Sequence, residues 1–444
     1  MTACLQRDCV GYDAQGCMSE NTASHWGNGV PVMSCLVHFA IVWRKWHILY
    51  SRINPPTMKY SIVLPLLATT VLAAPLEAPQ DSCKVPTSFP TTANAKLPNP
   101  FKFFDGTDVK TKADFECKNK EVLAAIQAQE LGTFPPKPST FSATYSGGTL
   151  SFTAGEGGKS ISFSVSIKGN SGSSVPAIIA YGGASIPVPA GVATITFNND
   201  QLGQQSGGSS RGKGKFYDLY GSGHSAGALT AWAWGVDRVI DALEATTGHN
   251  IDPKRLGVTG CSRNGKGAFV AAALVKRIAL GIPQESGSGG AACWRISDSE
   301  KAKGKNIQTS SQIVGENVWF SPAFNAFSTK ASTLSTDHHQ LAGLVAPRGL
   351  IVIENEIDWL GPVSTTACMK AGRLIYKALG VPDNMGFTGS GNHNHCSFPS
   401  NQQSDLTAFI NKFLLNTSGN TANIEKGPAA DVASYIDWTA PTLT

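Results

Sequence analysis

Long apolar runs are missing from this sequence: none reaches the roughly 18 residues that argue for a membrane-spanning helix. Charge is sparse as well. Asp, Glu, Lys and Arg make up 15% of residues, and the formal net charge of +5 is not gathered into a basic stripe, which excludes the electrostatic footprint of a nucleic-acid binder. No C-x-x-C pair marks a structural zinc site, and no internal repeat marks a solenoid. The apolar and aromatic content is that of an ordinary globular protein, long enough for one large α/β domain or two smaller ones.

Residues 58–74 read MKYSIVLPLLATTVLAA: a methionine, a lysine, a short apolar run and small residues before Pro75. That is the layout of a secretory signal peptide, with cleavage after Ala73. Residues 1–57 then read as a gene-model extension, with translation starting at Met58, or as an unstructured segment, and residues 74–444 as a single secreted domain. Six cysteines follow the signal (Cys83, Cys117, Cys261, Cys293, Cys368 and Cys396), enough for three disulfides. Asn416-Thr417-Ser418 is an N-glycosylation acceptor.

Ile161, Phe163, Val165 and Ile167 alternate with serines, a period of two that predicts a strand, and TYSGGTLSFTA before it predicts an antiparallel partner. Further on, apolar runs at 175–183, 191–199, 255–260, 277–285, 348–356 and 384–389 are mostly separated by helical stretches at 226–246, 265–276, 365–380 and 404–415. Apolar strands alternating with helices predict a mostly parallel sheet covered on both faces. Residues 203–214, GQQSGGSSRGKG, read as a flexible polar loop.

Two serines compete for the role of nucleophile. GHSAG at 223–227 matches G-x-S-x-G, but the preceding GKFYDLYGSGH reads as loop, so Ser225 is expected to cap the following helix. RLGVTGCSRNGKGAFVAAALV at 255–275 instead predicts strand, tight turn and helix, with Ser262 on the turn and Gly260 and Gly265 permitting the close approach.

A serine needs a base. GNHNHCSFP at 391–399 follows the last strand and offers His393 and His395. A Cys261–Cys396 bridge would hold the two Cα atoms about 5.5–6 Å apart and make Ser262 and His395 neighbours, which favours His395. Among acids, Glu285, Glu354, Glu356 and Asp358 all end strands, and spacing does not rank them. Arg263 would offer its backbone N–H, and its guanidinium, to an oxyanion. Lys266, one helical turn beyond Ser262, would face the same pocket.

At GCSRNGKGA, with QESGSGG around Glu285 and HCSF at His395, the chain resembles the fungal secreted glucuronoyl esterases of carbohydrate esterase family fifteen, from about Cys83 to about Leu415. The resemblance implies an α/β-hydrolase, a three-layer αβα sandwich. It implies cleavage of the ester between 4-O-methyl-D-glucuronic acid of glucuronoxylan and lignin alcohols, with Ser262 as nucleophile, His395 as base, Glu285 as acid and Arg263 at the oxyanion. It further implies sugar contacts from Lys266, Gln308, a buried Glu316 and Trp359, and the pairs Cys83–Cys117, Cys261–Cys396 and Cys293–Cys368. No metal or cofactor, no carbohydrate-binding module, and a monomer are expected. The rivals are an acetyl-xylan or feruloyl esterase and a catalytically inactive carbohydrate-binding relative.

Overall fold

Alternation in the strands decides the layering. The structure, a computed structural model, describes residues 83–444; the extension 1–57 and the signal-like segment 58–73 lie outside the described residues. Strands β1 (Thr140–Ser146), β2 (Thr149–Glu156) and β3 (Lys159–Lys168) form antiparallel hairpins. The first turn uses Gly147 and Gly148 at φ +57° and +79°, a left-handed pair that suits the twist of a two-residue hairpin. Ile161, Phe163, Val165 and Ile167 all point into the core, as their period of two requires.

From there the sheet is parallel. Strands β4 (Val175–Tyr181), β5 (Ala193–Phe197), β6 (Ile251–Cys261), β7 (Leu280–Gln284), β8 (Gly349–Asn355), β9 (Met385–Ser390) and β10 (Glu425–Lys426) complete the order β1-β2-β3-β5-β4-β6-β7-β8-β9-β10. The strand order reverses between β4 and β6. In open α/β sheets such a switch opens a crevice at the carboxyl ends of the strands.

Helices α1 (Lys112–Ile126), α2 (Lys215–Tyr220), α3 (Ala228–Ala245), α4 (Arg263–Leu274), α5 (Trp294–Ala302), α6 (Ser310–Glu316), α7 (His338–Val345), α8 (Pro362–Ala378) and α9 (Gln403–Ile410) cover the sheet. In β8, Leu350 and Val352 pack into a core shared with α3, α4, α7 and α8, while Ile351 and Ile353 pack into a second core with Leu406, Phe409 and Ile410 of α9. These two cores on opposite faces make the three-layer sandwich expected from the sequence.

Four local expectations change. GKFYDLY is not loop: it contains α2, whose Phe216, Tyr217 and Leu219 are buried. Ser225 does not cap α3; the cap position is Gly227, and the exposed Ser225 hydroxyl accepts from the Thr133 N–H at 3.0 Å. The polar loop 203–214 is anchored, because Arg211 Nη1 donates to the carbonyls of Val318 (3.2 Å) and Phe320 (2.6 Å). Helices α5 and α6 appear where the sequence shows mostly polar residues, and α7 (HHQLAGLV) is a further helix not anticipated from it. The start of α5 is held by a distant residue: Asp337 accepts from the N–H groups of Trp294 (2.8 Å) and Arg295 (3.2 Å).

Helix α4 lies against β7 through Gly265, where an added Cβ would sit 2.3 Å from the Gln284 carbonyl oxygen. Gly265→Ala is therefore expected to destabilise the protein by about 1–3 kcal/mol through overpacking. It is also expected to lower turnover, because Gln284 precedes Glu285. Denaturant unfolding and steady-state assays check this, and a variant unchanged in both would contradict the close approach.

Candidate active site

Three strand ends meet at the switch point. Ser262 follows β6 with φ +59°, a left-handed conformation that a non-glycine residue rarely adopts and that turns the serine out between strand and helix. Its N–H donates to the Gln284 carbonyl at 2.9 Å and its carbonyl accepts from Lys266 N at 3.0 Å. Arg263 is the first residue of α4, so its N–H has no intrahelical acceptor. Its side chain is exposed and lines the same cavity.

His395 comes from the loop after β9. A Cys261–Cys396 disulfide ties that loop to the Ser262 turn with a Cα separation of 5.7 Å, within the spacing anticipated above. The other bridges join Cys83 to Cys117 and Cys293 to Cys368. His395 Nδ1 lies 2.7 Å from Glu285 Oε2. An ionised carboxylate only accepts, so Nδ1 carries the proton and Nε2 is left free as a base. Glu285 is 0% exposed, and Oε2 also accepts from the Cys396 N–H at 2.9 Å. Cys261, Glu285, His395 and Cys396 crowd within 4.8 Å, but the two sulfurs are bonded to each other and offer no thiolate to a metal.

The other acids stand apart from His395. Glu356 and Asp358 are exposed, and Glu354 is buried against Ser286. His393 is occupied on both ring nitrogens: Nε2 donates to the Ser390 carbonyl at 2.9 Å, and Nδ1 accepts from Asn355 Nδ2 at 3.2 Å.

Gln308, Glu316 and Trp359 are linked to His395 by a chain of contacts; Lys266 is not part of that chain, its ammonium lying 5.6 Å from the centroid of the Trp319 ring. The Trp359 ring meets the His395 ring edge-on, with centroids 4.8 Å apart. The Trp359 carbonyl accepts from Gln308 N at 3.2 Å, and Gln308 Nε2 donates to Glu316 Oε2 at 3.0 Å. Glu316 is exposed, which corrects the expectation of a buried carboxylate: it is the last residue of the short helix α6 and faces the cavity mouth. Lys266 is 3% exposed and donates to the Ser286 carbonyl at 2.6 Å. Burial pushes its ammonium down to about 8, against the pull of Glu354 and Glu316. Asn416 is exposed, as an acceptor for a glycan must be.

The cavity has a volume of about 500 Å3 and is lined by Ser262, Arg263, Glu316, Trp319, His395 and the loop Tyr181–Ser185. Larger grooves of about 710 and 920 Å3 lie along the C-terminal segment and hold no histidine. Trp319 and the 181–185 loop were not singled out from the sequence. Trp319 sits in an apolar run that reads as core, while the Gly-Gly-Ala-Ser after β4 was a usable signal, since small residues at a strand end let backbone approach a ligand.

A mostly parallel sheet carrying a strained serine after β6, a buried carboxylate after β7 and a histidine on the loop after β9 defines a serine hydrolase of the α/β-hydrolase fold. A model of the fungal glucuronyl esterase family matches residues 152–380. The 4-O-methyl-glucuronoyl methylesterase of Neurospora crassa is 59% identical over 85% of this chain and 98% of its own length. The crystal structure of glucuronoyl esterase from Sporotrichum thermophile covers 82% of this chain and 100% of its own, with a TM-score of 0.80 and 57% identity. A serine-to-alanine variant of that enzyme in complex with methyl 4-O-methyl-β-D-glucopyranuronate matches equally well, with a TM-score of 0.80. The Hypocrea jecorina catalytic domain matches with a TM-score of 0.79 and 56% identity. The chain belongs to the fungal glucuronoyl esterase family.

Removing the Cys261–Cys396 bridge in a Cys261→Ala/Cys396→Ala protein is expected to cost about 2–5 kcal/mol of stability. The folded fraction is expected to lose turnover as well, because the His395 loop loses its tether. Thermal unfolding together with activity per titrated site checks both, and full turnover in the folded protein would show that the bridge does not set the site.

Proposed function

We infer that this protein is a secreted serine carboxylesterase. It hydrolyses esters formed through the carboxyl group of 4-O-methyl-D-glucuronic acid in glucuronoxylan, releasing the uronic acid from lignin alcohols, and it acts as a monomer. The observation that carries this reading is the 2.7 Å hydrogen bond from His395 Nδ1 to a fully buried Glu285, in a cavity that Ser262 and His395 both line beside the Cys261–Cys396 bridge. Among the described residues no helix is long and apolar enough to cross a membrane.

The chemistry follows from the geometry. His395 Nε2 takes the Ser262 hydroxyl proton as Oγ attacks the ester carbonyl, and Glu285 stabilises the imidazolium that forms. The Arg263 N–H, and its guanidinium, receive the developing oxyanion; such a donor is typically worth about 10²–10³ in kcat. His395 then gives its proton to the departing alcohol. Water, deprotonated by the same imidazole, attacks the acyl-enzyme and frees the acid. Lys266, Gln308 and Glu316 pair with the sugar hydroxyls as donors and acceptor, and Trp359 offers a flat face to the ring.

Ser262→Ala is expected to abolish hydrolysis of a methyl glucuronate ester and to leave the fold intact by circular dichroism. Activity near wild type would remove Ser262 from the mechanism. Comparing glucuronate esters with acetylated xylan and feruloyl esters separates this reading from the acetyl-xylan and feruloyl alternatives. A protein more active on the latter substrates would not be a glucuronoyl esterase in function.

The charge on Lys266 gives a pH test. The ammonium is the stronger partner for hydroxyls, and it is lost as pH rises through about 8. KM is therefore expected to rise with pH through that region and to stay level below it, and Lys266→Met should flatten the profile. KM measured across about two pH units either side of that value checks the sign; a flat wild-type profile would argue that Lys266 does not touch the sugar.

A further inference from the structure

Glu354 is a buried titratable group that the ester chemistry leaves unused. It sits near the carboxyl end of β8 and is 5% exposed. One oxygen, Oε1, accepts from the Ser286 N–H at 2.8 Å, the Ser286 hydroxyl at 2.9 Å and the Gly287 N–H at 3.3 Å. All three donors belong to the two residues that follow Glu285.

That turn is costly to hold. Glu285 has φ +46° and Gly287 φ +50°, and a left-handed non-glycine residue persists only where its surroundings over-determine it. Ser286 is the hub of those surroundings. Its hydroxyl accepts from the Ala291 N–H at 3.0 Å, and its carbonyl carries the Lys266 ammonium at 2.6 Å. The next residue along β8, Asn355, points to the opposite face, as strand alternation demands. Its Nδ2 reaches the His393 carbonyl at 3.1 Å and Glu285 Oε2 at 3.4 Å. The end of β8 thus grips the Glu285 turn on one side of the sheet and the histidine loop on the other.

We propose that Glu354 is a positioning residue for the hydrolysis: without touching substrate, its carboxyl oxygen holds the Glu285–Gly287 turn so that Glu285 keeps its hydrogen bond to His395. This rests on the reading of Glu285 as the acid. The work is done by hydrogen-bond acceptance and not by charge. Burial pushes the Glu354 carboxyl up to about 7, and a neutral acid still accepts through its carbonyl oxygen. Oε2 reaches no hydrogen-bond partner, so an amide nitrogen in its place would break no existing bond.

The test measures kcat and KM on a methyl glucuronate ester for Glu354→Ala, Glu354→Gln and Glu285→Ala, each expressed per site titrated with a fluorophosphonate. That normalisation removes any effect of a misfolded fraction. Glu354→Ala is expected to lower kcat by about 10–100-fold, with KM moved far less, since a small misplacement of a catalytic group costs on that scale. Glu354→Gln, which retains an accepting oxygen, is expected to recover most of the loss. Should Glu354→Ala fail to fold, Ser286→Ala removes one of the three donors and is expected to lower kcat in the same sense. Wild-type kcat per site in Glu354→Ala, or in Ser286→Ala where it stands in, overturns the proposal. So does an equal loss in Glu354→Gln, or a loss carried by KM alone. Wild-type activity in Glu285→Ala would instead overturn the assignment of the acid on which the proposal rests.

Discussion

Glu285 has no solvent exposure, and a carboxylate buried this way keeps its charge only when its oxygens are paired. Here Oε2 is paired twice by the histidine loop, through His395 Nδ1 and the Cys396 N–H. The loop and the acid therefore stabilise each other: either without the other leaves an uncompensated charge or an untethered segment. The disulfide adds a covalent limit to the same junction. It spans 135 residues of sequence, and cross-links over long separations remove more freedom from the unfolded chain. In the proposed mechanism Ser262 relies on this junction, since it holds the histidine that would activate the serine.

Three of the eight non-glycine residues with positive φ among the described residues stand at the site. Ser262, Glu285 and Cys396 have φ values of +59°, +46° and +66°, and none is a glycine. Residues held in such conformations typically cost about 1–3 kcal/mol each, and they persist when neighbouring contacts leave them no alternative. The contacts are identifiable: the β6–β7 and β7–β8 ladders, the bridge at Cys261 and Cys396, and the carboxyls of Glu285 and Glu354. Under the proposed mechanism, glutamine in place of Glu285 would keep the shape of the site while placing a neutral group where the imidazolium would need an anion.

The sheet was legible in the sequence because the third strand alternates apolar and serine residues, strands such as β4 and β8 are apolar runs, and several helices carry apolar spacing. Ser262 was legible because two glycines bracket it at the spacing a tight strand-to-helix turn requires. His395 could be preferred over His393 only because a cysteine adjoins it. Spacing alone did not rank the acids, since Glu285, Glu354, Glu356 and Asp358 are all carboxylates at strand ends; the resemblance at QESGSGG picked out Glu285, and Glu285 is the one the folded histidine loop reaches. Helix α5 was invisible for a similar reason. Its sequence, WRISDSEKA, has little apolar pattern, and its first N–H groups are satisfied by Asp337, far away in the chain. Glu316 was misjudged as buried because its position at the end of α6 depends on how that helix sits over the cavity.

The pocket around Ser262 is polar for a reason that follows from the substrate class. A hydrophobic pocket discriminates weakly between ligands that differ by a hydroxyl, whereas a site built from donors and acceptors rejects a ligand that leaves them unpaired. Lys266 is the sharpest case. Its ammonium is buried, has one carbonyl as a hydrogen-bond acceptor, and is already pushed toward neutrality by desolvation. A lysine has three donors to place, so under the proposed function a ligand that brings hydroxyl oxygens to this position would give the ammonium further acceptors. An acyl group without hydroxyls, such as acetate, would give it none. Under the same proposal Glu316, solvated at the rim, would exchange water for a sugar hydroxyl while keeping its hydrogen bond from Gln308 Nε2.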